Sequence, residues 1–146
     1  MVYENRDSSD IEQKALKAIG ETFDISVVES SILVTFPYEY PKNIIEMEHS
    51  TDEFSCLCPF SGLPDFARIS LIYVPGKLCI ELKSFKYYLL AFRQVKIFHE
   101  HVVNKIMEDL VKILNPVELK IEAIFNLRGG IETKASACYK NKDLKD

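Results

Sequence analysis

From Val117 to Leu127 the chain places Val117, Leu119, Ile121, Ala123, Phe125 and Leu127 in alternation with Glu118, Lys120, Glu122 and Asn126. Successive side chains of a strand point to opposite faces, so this run predicts a strand with one buried face, and hence a sheet covered on one side. The cover lies upstream. From about Phe98 to Leu114, Val102, Val103, Ile106, Met107, Leu110, Ile113 and Leu114 recur at helical spacing until Pro116 stops them. A shorter helix precedes it, capped by Ser84, with Phe85, Tyr88, Leu89 and Phe92 on one face and its end near Arg93.

Two further strands are expected beside the first. Phe66–Val74 alternates Ile69, Leu71 and Tyr73 with Arg68 and Ser70, then Pro75-Gly76 turns the chain into Lys77–Lys83, the pattern of a β-hairpin. Gly129-Gly130 turns into a weaker strand over Ile131–Ala137. Upstream, Asp10–Ile19 reads as a short capped helix stopped by Gly20, Ser26–Phe36 as a strand or extended segment, and Asn43–His49 as a short strand. The fold class is therefore α+β, an antiparallel four-stranded sheet with two helices on one face. Its two open edges call for pairing, so oligomerisation is expected.

The 146 residues suffice for a single domain over 1–146, with ends expected to fray over about 1–9 and 139–146. Eighteen Lys and Arg against 22 Asp and Glu give 18 − 22 = −4. That balance argues against a duplex-wide electrostatic grip, so no direct nucleic-acid partner is expected. There is neither a secretory leader nor a stretch near the roughly 18 apolar residues of a membrane span. No membrane partner and a cytoplasmic location are the expectation. The cysteines, Cys56, Cys58, Cys79 and Cys138, are scattered rather than spaced as a disulfide framework, which suits a reducing compartment.

Four local patterns could carry chemistry. Ser55-Cys-Leu-Cys-Pro-Phe-Ser-Gly-Leu-Pro-Asp-Phe66 sets Cys58 in a shaped loop with Asp65 seven residues on, able to pair a nucleophile with a proton donor. The same residues serve equally as small buried thiols and a turn cap. Cys56 and Cys58 could also donate to zinc with His49, His99 or His101, although Cys-x-Cys departs from the usual Cys-x₂-Cys spacing. Glu81-Leu-Lys-Ser-Phe-Lys86 puts Lys83 and Lys86 three apart around Ser84 at a helix start, suited to a phosphate or simply a solvated face. His99-Glu100 opens the long helix, where Glu100 can read the donor edge of a heterocycle or merely complement the dipole. Arg128-Gly129-Gly130 could bring a guanidinium to a phosphate or form a plain turn.

In this order the patterns resemble the NADPH-dependent nitrile reductases of queuosine biosynthesis, the 7-cyano-7-deazaguanine reductases. The resemblance rests on Glu81–Tyr88, on Leu57-Cys58-Pro59 with Gly62-Leu63-Pro64-Asp65-Phe66, on Phe98-His99-Glu100 and on Arg128-Gly129-Gly130, and runs from about Glu21 to Ser136. It implies the tunnelling fold in its short, one-unit form, assembled through its sheets into a ring-shaped homo-oligomeric barrel with active sites at subunit interfaces. It implies Cys58 as the nucleophile that forms a thioimide with the nitrile and Asp65 as the proton donor. Ile80, Glu81, Leu82, His99 and Glu100 would hold the deazapurine, and Lys83, Ser84, Lys86, Arg128 and Gly129 the NADPH. No Gly-x-Gly-x-x-Gly follows a strand, so the cofactor is not expected in a Rossmann site, and no metal is required. A zinc-dependent cyclohydrolase of the GTP type on the same fold, or a non-catalytic purine- or pterin-binding ring protein, are the alternatives.

Overall fold

A computed structural model describes residues 8–144. In chain order they form α1 (Ser8–Ile19), two 3₁₀ turns (Ile25–Val27 and Ser30–Ile32), β1 (Thr35–Pro37), β2 (Met47–Leu57), β3 (Pro64–Val74), β4 (Leu78–Ile80), α2 (Leu82–Leu90), α3 (His99–Leu114), β5 (Glu118–Arg128) and β6 (Ile131–Lys140). The large sheet is antiparallel in the order β2-β3-β5-β6, and β1 pairs with β4 in a separate two-stranded sheet.

The core forms where the alternation predicts it. Ile69, Leu71 and Tyr73 of β3 and Leu119, Ile121, Ala123 and Phe125 of β5 are buried against Val102, Ile106 and Leu110 of α3 and Phe85, Tyr88 and Leu89 of α2. The helix-covered face thus loses its apolar area to the core while Arg68, Ser70, Lys120 and Glu122 stay on the other. The two helices are tied to each other by a buried polar bridge: the Tyr88 hydroxyl donates to Asp109 at 2.7 Å, and Lys105 meets the same carboxylate at 3.0 Å. Helix α3 ends at Asn115, which adopts a left-handed conformation (φ 44°) before Pro116. No helix among the described residues is long and apolar enough to cross a membrane.

The structure departs from several of these expectations. The hairpin partner of β3 is β2 on its N-terminal side, not Lys77–Lys83. Strand β4 is only three residues long and pairs with β1 outside the large sheet, while Leu82 and Lys83 already belong to α2. Strand β2 begins at Met47 rather than Asn43 and runs on to Leu57 through its pairing with β3; the sequence conceals it because Glu48, Ser50, Asp52 and Glu53 are exposed and burial begins only at Phe54. Ser26–Phe36 is mostly 3₁₀ turns, with β1 beginning at Thr35. At the ends, Ser9 lies in α1, Tyr139 and Lys140 pair with β5, and the Asn141 amide donates to Val117. The fraying expected of 1–7 and 145–146 falls outside the described residues.

Candidate active site

The β2–β3 connection is held in shape by its own backbone. The Cys58 amide donates to the Leu63 carbonyl and the Gly62 amide to the Cys58 carbonyl, each at 2.9 Å, and the Ser61 hydroxyl accepts from the Leu63 amide. Gly62 sits at φ 71°, and a Cβ there would press on Leu16 of α1 at 3.0 Å, so the position demands glycine twice over. The strand end feeding the loop is gripped from outside the hairpin, since Leu57 donates to Val95 and accepts from Ile97. Cys58 is half-buried in this frame, whereas Cys56 is fully buried opposite Asp65 on β3.

Asp65 is the meeting point of three elements. Its carboxylate is buried, and Arg128 from the end of β5 donates to one oxygen at 2.5 Å while His99 Nε2 from the start of α3 lies 3.1 Å from the other. The imidazole is stacked on Phe125, ring centroids 3.6 Å apart and planes within 7°. Arg128 reaches this face because of a bulge. Strict alternation after the inward-facing Phe125 would turn residue 128 away from the helices, but the register shifts between Phe125 and Arg128, so that Arg128 pairs with Ile131 and its side chain arrives beside Asp65. Gly129 (φ 55°) and Gly130 (φ 76°) then close the two-residue turn, which requires positive φ at both positions.

This surrounding sorts the two neighbouring thiols. Partial burial pushes the Cys58 thiol up, but hydrogen bonds from the Ser61 side chain and backbone, the Phe60 backbone and the Arg128 guanidinium outweigh it and bring it down to about 7. Burial pushes Cys56 up to about 12, helped by the charges of Asp65 and Cys58. Cys58 is therefore the thiol available as a nucleophile near neutral pH. The contact with Cys58, ahead of the charge of Asp65, in turn holds Arg128 above its ordinary range.

The Glu81–Lys86 group lies elsewhere. Glu81, Leu82, Lys83 and Lys86 line a cleft of about 490 Å³ between α2 and β2, with Phe85, Leu89 and Leu90 as its apolar wall and none of Cys58, Asp65, His99 or Arg128 in its lining. Glu81, not Ser84, is the N-cap of α2: its carboxylate accepts from the Lys83 and Ser84 amides at 2.8 and 2.7 Å, and these bonds hold its carboxyl below the usual range. The helix start thus already carries an anion. Ser84 is buried, donating to the Glu81 carbonyl and accepting from the Val34 amide at 2.9 Å, which joins α2 to the segment before β1. Ile80 is buried, its amide donating to the Tyr73 hydroxyl. Lys83 and Lys86 remain exposed at the rim of this apolar cleft, Lys86 lying 3.4 Å from Glu53. Glu100 is exposed on the first turn of α3, one residue from His99, and Gly129 stands open at the hairpin tip.

Sequence reasoning placed Cys58 with Asp65 but set Arg128 with the cofactor and His99 with the substrate ring. The structure brings both to Asp65. Ser61 and Phe125 were missed altogether. The first had a local signal, a hydroxyl three residues after the cysteine in a Gly-containing turn, whereas Phe125 looks like any core position. Among the described residues no three His, Cys, Asp or Glu side chains form a group that could hold a metal ion.

Comparison with known proteins identifies the family. The solved apo structure of a QueF-like archaeosine synthase is similar with a TM-score of 0.59 at 20% identity, over 67% of this chain and 94% of that one, a likeness of fold. The proteins named NADPH-dependent 7-cyano-7-deazaguanine reductase from Chloroherpeton thalassium and Caldicellulosiruptor bescii are 48% and 46% identical over 112 residues, 77% of this chain and 97% and 86% of theirs. That from Thermoanaerobacter pseudethanolicus is 41% identical over 122 residues, covering 84% of this chain and 92% of its own. The family model described as QueF-like protein matches residues 64–144, from Asp65's strand through Arg128 to the end of β6. With a matching family model over most of the sheet and relatives of this similarity along nearly their whole length, the chain belongs to the QueF-like family, that of the NADPH-dependent 7-cyano-7-deazaguanine reductases.

Proposed function

We propose that the chain reduces the nitrile of 7-cyano-7-deazaguanine to the aminomethyl group through a covalent thioimide on Cys58, as a step of queuosine biosynthesis. The observation that carries the reading is the convergence of Cys58, Asp65, His99 and Arg128 from four separate parts of the chain, with Cys58 the ionisable thiol of the pair. The Cys58 thiolate adds to the nitrile carbon, forming the C–S bond as one C–N π bond breaks, and the nitrogen takes a proton through Asp65. His99, 3.1 Å from that carboxylate and braced by Phe125, is placed to share the proton in addition to contacting the deazapurine. NADPH, when bound, supplies the two hydrides that take thioimide to imine and imine to amine. Between them Cys58 leaves as the thiolate that Ser61 and Arg128 stabilise, which regenerates the nucleophile.

Glu81, Leu82 and the Ile80 backbone with Glu100 are the deazapurine contacts of this reading, a carboxylate suiting guanine-like N–H donors. Lys83 and Lys86, with Arg128 and Gly129, face the cofactor phosphates, and Ser84 contributes by fixing the start of α2. The cleft at α2 and the Cys58 cluster share no lining residue, which supports completion of each site by a second subunit. The outer strands β2 and β6 offer the edges through which single-domain subunits would close into the ring-shaped barrel of the tunnelling fold. A cytoplasmic location accompanies the reading.

The test is NADPH oxidation with 7-cyano-7-deazaguanine limiting. Two NADPH consumed per nitrile with the primary amine recovered is the expected result. Folded protein that oxidises none, and gains no substrate mass when incubated without NADPH, would overturn it.

A further inference from the structure

Arg128 stands at the last position of β5 before the glycine turn, where a bulge turns its side chain toward the helix-covered face. Its guanidinium makes two contacts on that face, Nη1 on the buried Asp65 carboxylate at 2.5 Å and Nη2 on the Ser61 hydroxyl at 3.5 Å, and its presence also favours the charged form of Cys58. Ser61 belongs to the same tightly bonded loop as Cys58, so the fork spans the loop that presents the thiol and the strand that presents the carboxylate. A planar group with five donors in fixed directions is suited to such a bridge, whereas an ammonium is a point charge.

We propose that Arg128 is the positioning residue of the nucleophile: its guanidinium fastens the loop that carries Cys58 to Asp65 and so sets a fixed cation against that loop before substrate arrives. The proposal rests on the reading of Cys58 as nucleophile and assigns Arg128 work on the protein itself, apart from any contact with cofactor phosphates. The ionisable neighbours of Cys58 all bear on this assignment. Cys56 on β2 is kept neutral by its burial and by the charges of Asp65 and Cys58, and the Asp65 carboxylate on β3 is met by Arg128. His99 on α3 is engaged with Asp65, and the Lys96 side chain approaches Gly62. Arg128 is the cation of this group that reaches the Cys58 loop, through Ser61, so its removal takes away the positive charge that favours the thiolate.

The experiment measures carboxymethylation of Cys58 by iodoacetate against pH, with peptide mapping to separate it from Cys56 and Cys138, on full-length wild-type, Arg128→Met and Arg128→Lys proteins. Wild type is expected to titrate near pH 7. In Arg128→Met the midpoint moves up by about one unit or more, which lowers the alkylation rate at pH 7 on the order of tenfold, and Arg128→Lys falls between the two. An unchanged midpoint in both variants would overturn the proposal. Where Arg128→Met loses its cooperative thermal transition, Arg128→Lys decides alone: an upward shift supports the assignment and no shift overturns it. The assay needs neither substrate nor NADPH, so a wild-type protein that titrates as expected yet forms no adduct with the nitrile would sink the reductase reading and leave Arg128's role intact.

Discussion

Around Cys58 the charged and polar groups answer one another: Arg128 bridges Asp65 and Ser61 of the thiol's loop, and His99 takes the remaining carboxylate oxygen. In the cleft beside α2 they answer the backbone and solvent: Glu81 caps its own helix, Ser84 is spent on Val34, and Lys83 and Lys86 extend from the surface. The first region is assembled within one chain, with donors and acceptors already fixed. The second offers shape and cations, with orientation left to whatever enters it. Covalent chemistry demands fixed geometry, whereas phosphate binding tolerates mobile ammonium groups.

The sharpest way to break the comparison is to remove the nucleophile. Cys58→Ala should abolish both the substrate mass adduct formed without NADPH and all turnover, while Cys56→Ala keeps the adduct, as intact-mass spectrometry will show. Asp65→Asn comes next, with thioimide formation slowed on the order of 10²–10³-fold in single-turnover mixing while equilibrium binding of the nitrile changes far less. Equal losses in both measurements would make Asp65 structural.

A smaller effect follows from the ionisation of Cys58. With the thiol brought down to about 7, the reactive form is the deprotonated one, so the adduct rate should be flat above about pH 8 and fall roughly tenfold per unit below 7. The smallest effect belongs to the open cleft. Lys86→Met should raise the KM for NADPH a few-fold and leave adduct formation without NADPH at its wild-type rate, because its one ion pair, with Glu53, is exposed. A slower adduct in that variant would show that the two regions are not separable.

The sequence disclosed the parts whose burial follows a local period. Strand β5 and helix α3 could be read directly because Leu119, Ile121 and Ala123, or Val103, Ile106 and Leu110, mark one face each. Strand β2 could not, since Glu48, Ser50 and Asp52 face solvent and its register comes from pairing with β3. The short β4 was mistaken for a hairpin arm because its partner, β1, lies some forty residues earlier. At the site, Cys58 and Asp65 were close enough in sequence to be linked by inspection. Arg128 was not, because its position depends on a single extra residue in β5 that no pattern of apolar positions announces.

That extra residue makes the site sensitive to chain length in an uneven way. Between Phe125 and Arg128 strand β5 spends three steps where β6 spends two, from Thr133 to Ile131. Shortening β5 by deletion of Asn126 would erase the mismatch and still leave the guanidinium on the helix side, two steps from Phe125. Lengthening β6 by one residue between Ile131 and Thr133 would also erase it, but by straightening β5, and the same arginine would then face the opposite surface. In any variant of this hairpin, the parity of the segment, rather than the presence of an Arg-Gly-Gly string, decides whether the arginine can reach Asp65.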